Sequence, residues 1–433
     1  MSQLLSWNRL PQCSPDKIYT LTEHAIPGLA HAPHPLLAYG NGRSYGDVCL
    51  NDRGTLLHTC ALDRFISFDR TSGVLRCESG VTLQSILQLV VPHGWFLAST
   101  PGTQYATIGG ALANDVHGKN HHAHGSFGNH VRAFELIRST GEVLLCRPDQ
   151  NAEMFRATIA GLGLTGLLSW VEIQLMPVNN PWMWVEAQRF SNLEHFWQLN
   201  KEAEQHWPYT VAWIDCLASG NSQGRGILFT GKHAANQTHL PSYKARSKRV
   251  PFDPPISLVN RLSLRSFNAL YYRQPLKPQG SLCHYAPYFY PLDAIQDWNR
   301  IYGHKGFYQY QCVLPPEVAS EATAQLLDAI AQSGQGSFLA VLKTFGTQES
   351  VGLLSFARPG TTLALDFPNL GNKTLQLFHR LDAIVSEAGG ALYPAKDARM
   401  PASLFQSGFP NWERFSDFID PAFSSHFWRR VTL

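Results

Sequence analysis

No two cysteines in this chain have the C-x-x-C spacing; all eight are scattered, at positions 13, 49, 60, 77, 146, 216, 283 and 312. Neither a zinc site nor a disulfide framework is signalled, and free thiols in a reducing compartment are the expected state. Net charge is only +3, too small to argue for a nucleic-acid partner. No apolar run approaches the ~18 residues of a membrane span. The opening stretch, MSQLLSWNRLPQC, lacks the apolar core of a signal peptide. A cytoplasmic location is expected, with room for peripheral association with the inner face of the membrane. Charged residues make up 15% against roughly 25% in ordinary soluble domains, which implies much internal surface or an apolar neighbour. At 433 residues the chain exceeds the ~100–200 of one domain, so two are expected.

Periodicity then places elements. Phe65–Asp69 and Val74–Cys77 flank Thr71-Ser72-Gly73, and Phe134–Arg138 and Glu142–Cys146 flank Ser139-Thr140-Gly141, so each pair reads as a hairpin. Thr82 is placed to cap a helix carrying Leu83, Ile86, Leu87, Val90 and Val91 at helical spacing, stopped by Pro92 and Gly94. Leu167–Met176 is a strand closed by Pro177, and a domain boundary is expected near Asn179–Trp182. Two later helices are expected, from about Pro316 to Gln332 and from about Thr374 to Ala388, the second ended by Gly389-Gly390. Between Lys244 and Lys277 lie eight Lys or Arg residues against the single acid Asp253, interspersed with proline and leucine. This stretch reads either as a solvated loop or as a surface that meets anionic lipid.

Three glycine-rich segments carry the chemistry. Asn41-Gly42-Arg43-Ser44-Tyr45-Gly46-Asp47, just after Gly40, can turn consecutive N–H groups toward a pyrophosphate. Thr100-Pro101-Gly102-Thr103 and the run from Thr107 through Gly109, Gly110 and Asn114 to His117-Gly118 let backbone approach a ligand closely. Five histidines, 117, 121, 122, 124 and 130, follow closely. Adjacent histidines on one short loop rarely converge on one ion, and no metal is expected. The third segment, Gly161-Leu162-Gly163-Leu164-Thr165-Gly166, fits G-x-G-x-x-G, but a Rossmann site needs a helix after it. LLSWVEIQL follows instead and reads as strand, so a nicotinamide dinucleotide fingerprint is rejected.

In their order and spacing, GNGRSYGD, PGT, IGGALANDVHG and GLGLTG resemble the FAD-binding half of the vanillyl-alcohol-oxidase-type (PCMH-type) flavoproteins. HGKNHHAHGSFGNHV, AWID, YPLDAIQDWNRIYGHKGFYQYQ, SFLAVLKTFG, LALDFP and YPAKDAR narrow the likeness to the decaprenylphosphoryl-β-D-ribose 2′-oxidases, from about Leu36 to the C-terminus. The resemblance implies an α+β fold. Two small subdomains grip FAD over residues 1–178, completed by 391–433, and a substrate domain over 179–390 covers the flavin with an antiparallel sheet. It implies oxidation of the 2′-hydroxyl of a polyprenyl-phosphate-linked ribose, with a short-chain dehydrogenase as partner. A sugar-lactone or alditol oxidase, and a flavin-binding subunit without turnover, remain open at this point.

The same resemblance assigns residues. Asn41–Asp47 should hold the pyrophosphate, Gly102, Thr107, Gly109, Gly110, Asn114 and His117 should follow the cofactor, Leu168 should face its adenine end, and Tyr393 should approach the flavin ring. Arg43 stands where some relatives attach FAD through a histidine, so the FAD is expected to be non-covalent. Lys396 is the first catalytic candidate, as base or as charge stabiliser, with His117 and Lys343 beside it. Lys119, Trp213, Gln309, Gln311 and Lys343 are expected around the substrate, Gln309 and Gln311 from one strand face. Family members include enzymes with a cysteine where this chain has Ala364, so covalent inhibition through that position should fail.

Overall fold

The computed structural model describes residues 4–22, 29, 32, 33, 35–235, 240–277 and 279–432. Met1–Gln3, part of the opening stretch read above, lie outside the described residues. Both hairpins form. With Leu167–Gln174 between them they build a five-stranded antiparallel sheet ordered Phe65–Asp69, Val74–Glu78, Leu167–Gln174, Val131–Ile137, Val143–Cys146. Gly73 and Gly141 take φ of 73° and 88° in the two turns, conformations that favour glycine. The helix Leu83–Val90 begins where Thr82 Oγ1 accepts the Ser85 N–H. Its Leu83, Ile86, Leu87 and Val90 are fully buried with Phe96, Phe134 and Val171, each such side chain contributing about 1.5–3 kcal/mol. A three-stranded parallel sheet sets Thr55–His58 between Lys17–Thr20 and Leu36–Tyr39.

The largest sheet has eight strands, ordered Ser281–His284, Trp182–Phe190, Gly226–His233, Tyr209–Ile214, Val341–Phe345, Gly360–Pro368, Phe307–Leu314, Ala391–Leu392. Each neighbouring pair is antiparallel. Strand alternation decides what each face does. Leu342, Leu363, Leu365 and Cys312 point into a core shared with the helices Ala319–Ser333 and Asn372–Glu387. Their neighbours Lys343, Thr362, Ala364, Asp366, Gln309 and Gln311 point the other way, into a cavity.

Ala391–Leu392 pairs with Val313 and Cys312 as the edge of the large sheet. Beyond it Phe423 bridges Leu36, and the Asp420 carboxylate accepts the N–H and hydroxyl of Ser139. The basic stretch is not simply loop: Arg261–Arg273 is a helix, capped by Asn260, whose side chain accepts the N–H groups of Leu262 and Ser263. The prolines at 251, 254 and 255 all precede that cap and leave the helix interior intact.

Candidate active site

A cavity of about 890 Å³ runs from the first glycine loop to the open face of the large sheet. Of the residues expected at the site, all but Gly46 and Asp47 line it. Those two do a different job. A Cβ on Gly46 would fall 1.6 Å from the Asp397 carbonyl oxygen, so glycine there allows the loop to lie on the Lys396–Asp397 backbone. The fully buried Asp47 takes a two-point contact from Arg430 and a further bond from His426. Burial alone would push its carboxyl up; the bonds from Arg430 and His426 hold it below the usual range. Arg430 also bonds Asp397 at 2.9 Å. The Asp47 side chain therefore fixes the loop to the C-terminal segment.

Upstream of that anchor the loop is shaped for close approach. Gly42 has φ 59°, and a Cβ on Gly40 would meet Thr107 Oγ1 at 2.5 Å. Asn41 donates to the Tyr105 carbonyl at 2.8 Å. The Arg43 guanidinium stacks over Trp7 and Tyr105, 4.4 and 5.2 Å from the ring centres. Its Nε and the Asn114 side-chain oxygen are buried atoms without a hydrogen-bond partner among the described residues, and both residues line the cavity. An orphaned buried polar atom costs about 1–3 kcal/mol, so the wall is built for a polar ligand: a cation over an anionic group at Arg43, an acceptor at Asn114. That donor set and the glycine-lined approach fit FAD. The GLGLTG segment turns through left-handed Leu162 and Gly163 and leads into a strand, as expected.

Cations gather at the other end. Lys343 is buried and donates to the Gly118 carbonyl at 2.7 Å, with His117 Nδ1 2.9 Å away. Desolvation, then Lys119 and Lys396, lower Lys343 to about 7. His117 is held far below its ordinary value by burial first and Lys343 second, so its ring is neutral. On the other side of the ring the Gln311 side-chain nitrogen lies 3.1 Å from Nε2 and also donates to the Thr362 hydroxyl. Phe345 packs edge-on against the same ring at 4.8 Å. Lys119 donates to the Tyr288 carbonyl, and desolvation lowers it to about 8.

Lys396 is not paired with its neighbour Asp397. Its nitrogen sits over the Tyr45 ring, and burial lowers it to about 8 against the opposing pull of Asp366. Gln309 donates to Asp366 at 2.6 Å. Trp213 is fixed by its Nε1–H to the Phe338 carbonyl and packs on Tyr271 of the helix Arg261–Arg273. The other histidines brace the wall: His121 accepts the Gly346 N–H, and His122 meets the Trp207 carbonyl.

Sequence reasoning missed Trp7, Asp293, Tyr271 and Asp366, all of which line the cavity. Asp366 was within reach: it lies two residues beyond Ala364 on one strand face. Trp7 carried no signal, since only folding brings the N-terminal segment over Arg43.

Residues 26–147 match the FAD binding domain family. With the cavity above, this defines an FAD-dependent oxidoreductase of the α+β, PCMH type. The chain is 34% identical over 415 residues to decaprenylphosphoryl-β-D-ribose oxidase of Mycolicibacterium smegmatis, covering 92% of this chain and 89% of that protein, and it belongs to that family. An uncharacterised Streptomyces coelicolor protein is 31% identical over 375 residues, 82% of this chain and 100% of its own length. Mouse L-gulonolactone oxidase matches only 40% of each chain, at 26% identity.

Proposed function

We propose that this chain oxidises the 2′-hydroxyl of a polyprenylphosphoryl ribose to the 2′-keto sugar. The observation that carries this reading is the gathering of Lys119, Lys343 and Lys396 on the walls of one cavity that also holds the glycine loops. Such a surface suits a sugar bearing a phosphodiester, with Gln309 and Gln311 as hydroxyl partners. Trp213, Tyr271 and Leu339 supply an apolar wall for the start of the prenyl chain. Bound FAD supplies the two-electron acceptor.

In this reading Asn41–Tyr45, Gly102, Thr107, Gly109, Gly110 and Asn114 hold the cofactor, Leu168 backs its adenine end, and Tyr393 flanks the ring. Arg43 pairs with its phosphates and makes the binding non-covalent, since a guanidinium forms no such tether. Lys343 keeps His117 neutral and oriented. Residues 1–178 with the segment after Leu392 form the FAD-binding domain, in two subdomains, and 179–390 the substrate domain, whose large sheet covers the flavin.

No helix among the described residues is long and apolar enough to cross a membrane. Lys244–Lys277 instead supports peripheral contact with anionic lipid: the helix Arg261–Arg273 exposes Leu262 and Leu270 at 76% and 75%, while its Tyr271 lines the cavity. A lipid-linked sugar would then enter from the bilayer surface, on the cytoplasmic side, and a short-chain dehydrogenase would reduce the keto product. The test is anaerobic bleaching of the flavin by polyprenylphosphoryl ribose, compared with free alditols and aldonolactones. Bleaching by the free compounds alone would refute the lipid-linked substrate.

A further inference from the structure

We propose that Asp366 is a further catalytic residue: the carboxylate that takes the proton of the sugar hydroxyl while Lys396 holds the same oxygen as an ammonium. This rests on the oxidation proposed above. Asp366 lies on Gly360–Pro368 directly opposite Gln309, and its side chain is buried at 3% exposure on the cavity wall. One carboxylate oxygen accepts from Gln309 at 2.6 Å. The other has no hydrogen-bond partner among the described residues, although a buried carboxylate normally fills its acceptor sites.

Lys396 faces the same space, and no direct ion pair joins the two among the described residues. Both side chains line one cavity, so the carboxylate oxygen left without a partner and the ammonium are open to the same ligand. Asp293 and Asp297 also line the cavity, but Asp293 is bound to the Gln104 N–H and Asp297 to Arg249. His117 is occupied by Lys343 on one ring nitrogen and Gln311 on the other.

The balance is simple. The O–H bond breaks and its proton goes to the Asp366 carboxylate. The C–H bond breaks and its hydrogen leaves with both electrons to the bound flavin. The carbon–oxygen bond becomes double, the alcohol is oxidised by two electrons and the flavin is reduced by two. Burial raises the Asp366 carboxyl to about 6 and lowers Lys396 to about 8. Between these values the carboxylate is free to accept and the lysine is charged, which matches a base to near-neutral working conditions.

The experiment compares wild-type holoenzyme with Asp366→Asn and Asp366→Glu. Anaerobic flavin reduction is followed across pH with whichever sugar alcohol bleaches the wild type. The Asn variant should retain FAD, reduce about 10²-fold or more slowly and lose the acid limb near pH 6; the Glu variant should keep a limb. Independently, amine-directed labelling of Lys396 without substrate, read by mass spectrometry, should show its midpoint fall below about 8 in Asp366→Asn, because the charge that raises it is gone. Wild-type reduction by Asp366→Asn, an unchanged acid limb, or an unmoved labelling midpoint would each overturn the proposal. Failure of polyprenylphosphoryl ribose to bleach the wild type would count against that substrate alone, and the acid limb measured with another bleaching alcohol would still decide the role of Asp366.

Discussion

The Lys396 nitrogen lies 3.6 Å from the centre of the Tyr45 ring. The Tyr45 N–H donates to the Ala395 carbonyl at 2.9 Å, so the first glycine loop also positions the lysine. A cation over an aromatic face gains about 0.5–2 kcal/mol, which helps keep the ammonium charged where burial opposes it. Lys396→Ala should therefore retain FAD and lose substrate-driven flavin reduction, by about 10²-fold or more. With the ammonium as the working form, the rate should fall as pH rises through about 8. Stopped-flow reduction alongside the flavin-to-protein absorbance ratio checks both; normal reduction by the Ala variant would remove Lys396 from the site.

Asp47 gives a stability prediction. Its folded pKa lies below the ordinary 3.8 because the bonds from Arg430 and His426 outweigh burial. A depressed carboxylate contributes stability above its unfolded value, and that contribution is lost as pH falls below about 4 toward the folded value. Asp47→Ala leaves Arg430 with Asp397 as its one carboxylate partner beside the Met400 carbonyl and should cost about 3 kcal/mol. The Tm should drop at pH 7, and the gap to wild type should narrow on acidification. A constant gap down to the acid transition would show that the Arg430 pairing is not what stabilises the folded chain.

Arg43 separates tethered from free cofactor. Acid precipitation should leave a colourless pellet and release all the FAD to the supernatant. Arg43→Ala removes the stacked cation with the orphaned Nε and should raise the FAD Kd about tenfold or more, at the ~1.5–3 kcal/mol of a hydrogen bond to a charged group. Yellow protein after precipitation would contradict the first expectation, and unchanged FAD affinity the second.

What the sequence disclosed follows from which interactions are local. Hairpins, the Thr82 cap and the glycine loops depend on residues a few positions apart, and they formed as read. The burial of Lys396 on the cavity wall was signalled only through its motif, because its neighbours Tyr45 and Asp366 lie far away in sequence. The anchoring of Asp47 was hidden for the same reason: its partners, His426 and Arg430, come from the last helix. The helix Arg261–Arg273 was hidden because an arginine-rich amphipathic turn after three prolines has the composition of a loop, and only the Asn260 cap and the packing of Tyr271 on Trp213 distinguish it.

Ala364 faces the cavity from the strand beside Gln311. Two cysteines line the same cavity, Cys49 and Cys283, and burial raises both thiols above their ordinary value, which makes them poor nucleophiles at neutral pH. A thiol-directed electrophile shaped for the substrate site should leave the wild type unmodified there. Ala364→Cys should gain one adduct, mapped to that position by mass spectrometry. Modification of the wild-type enzyme at Cys283 at a comparable rate would show that the desolvation argument fails.

The helix Arg261–Arg273 yields the last prediction. Leu262 and Leu270 are about three-quarters exposed, and Ile256 and Leu258 add apolar surface in the segment just before them. Arg261, Arg265 and Arg273 lie on the same helix. A basic residue near an anionic surface gains about 1 kcal/mol, and buried apolar area adds to it. The full chain should therefore co-sediment with vesicles containing phosphatidylglycerol and release them at high salt, whereas pure phosphatidylcholine should bind weakly. Leu262→Asp with Leu270→Asp should cut binding about tenfold while leaving Tm and oxidation of a free, water-soluble alcohol unchanged, because neither side chain enters the core or the cavity. Binding that ignores both the charge of the vesicle and the paired substitution would place the lipid contact elsewhere on the molecule.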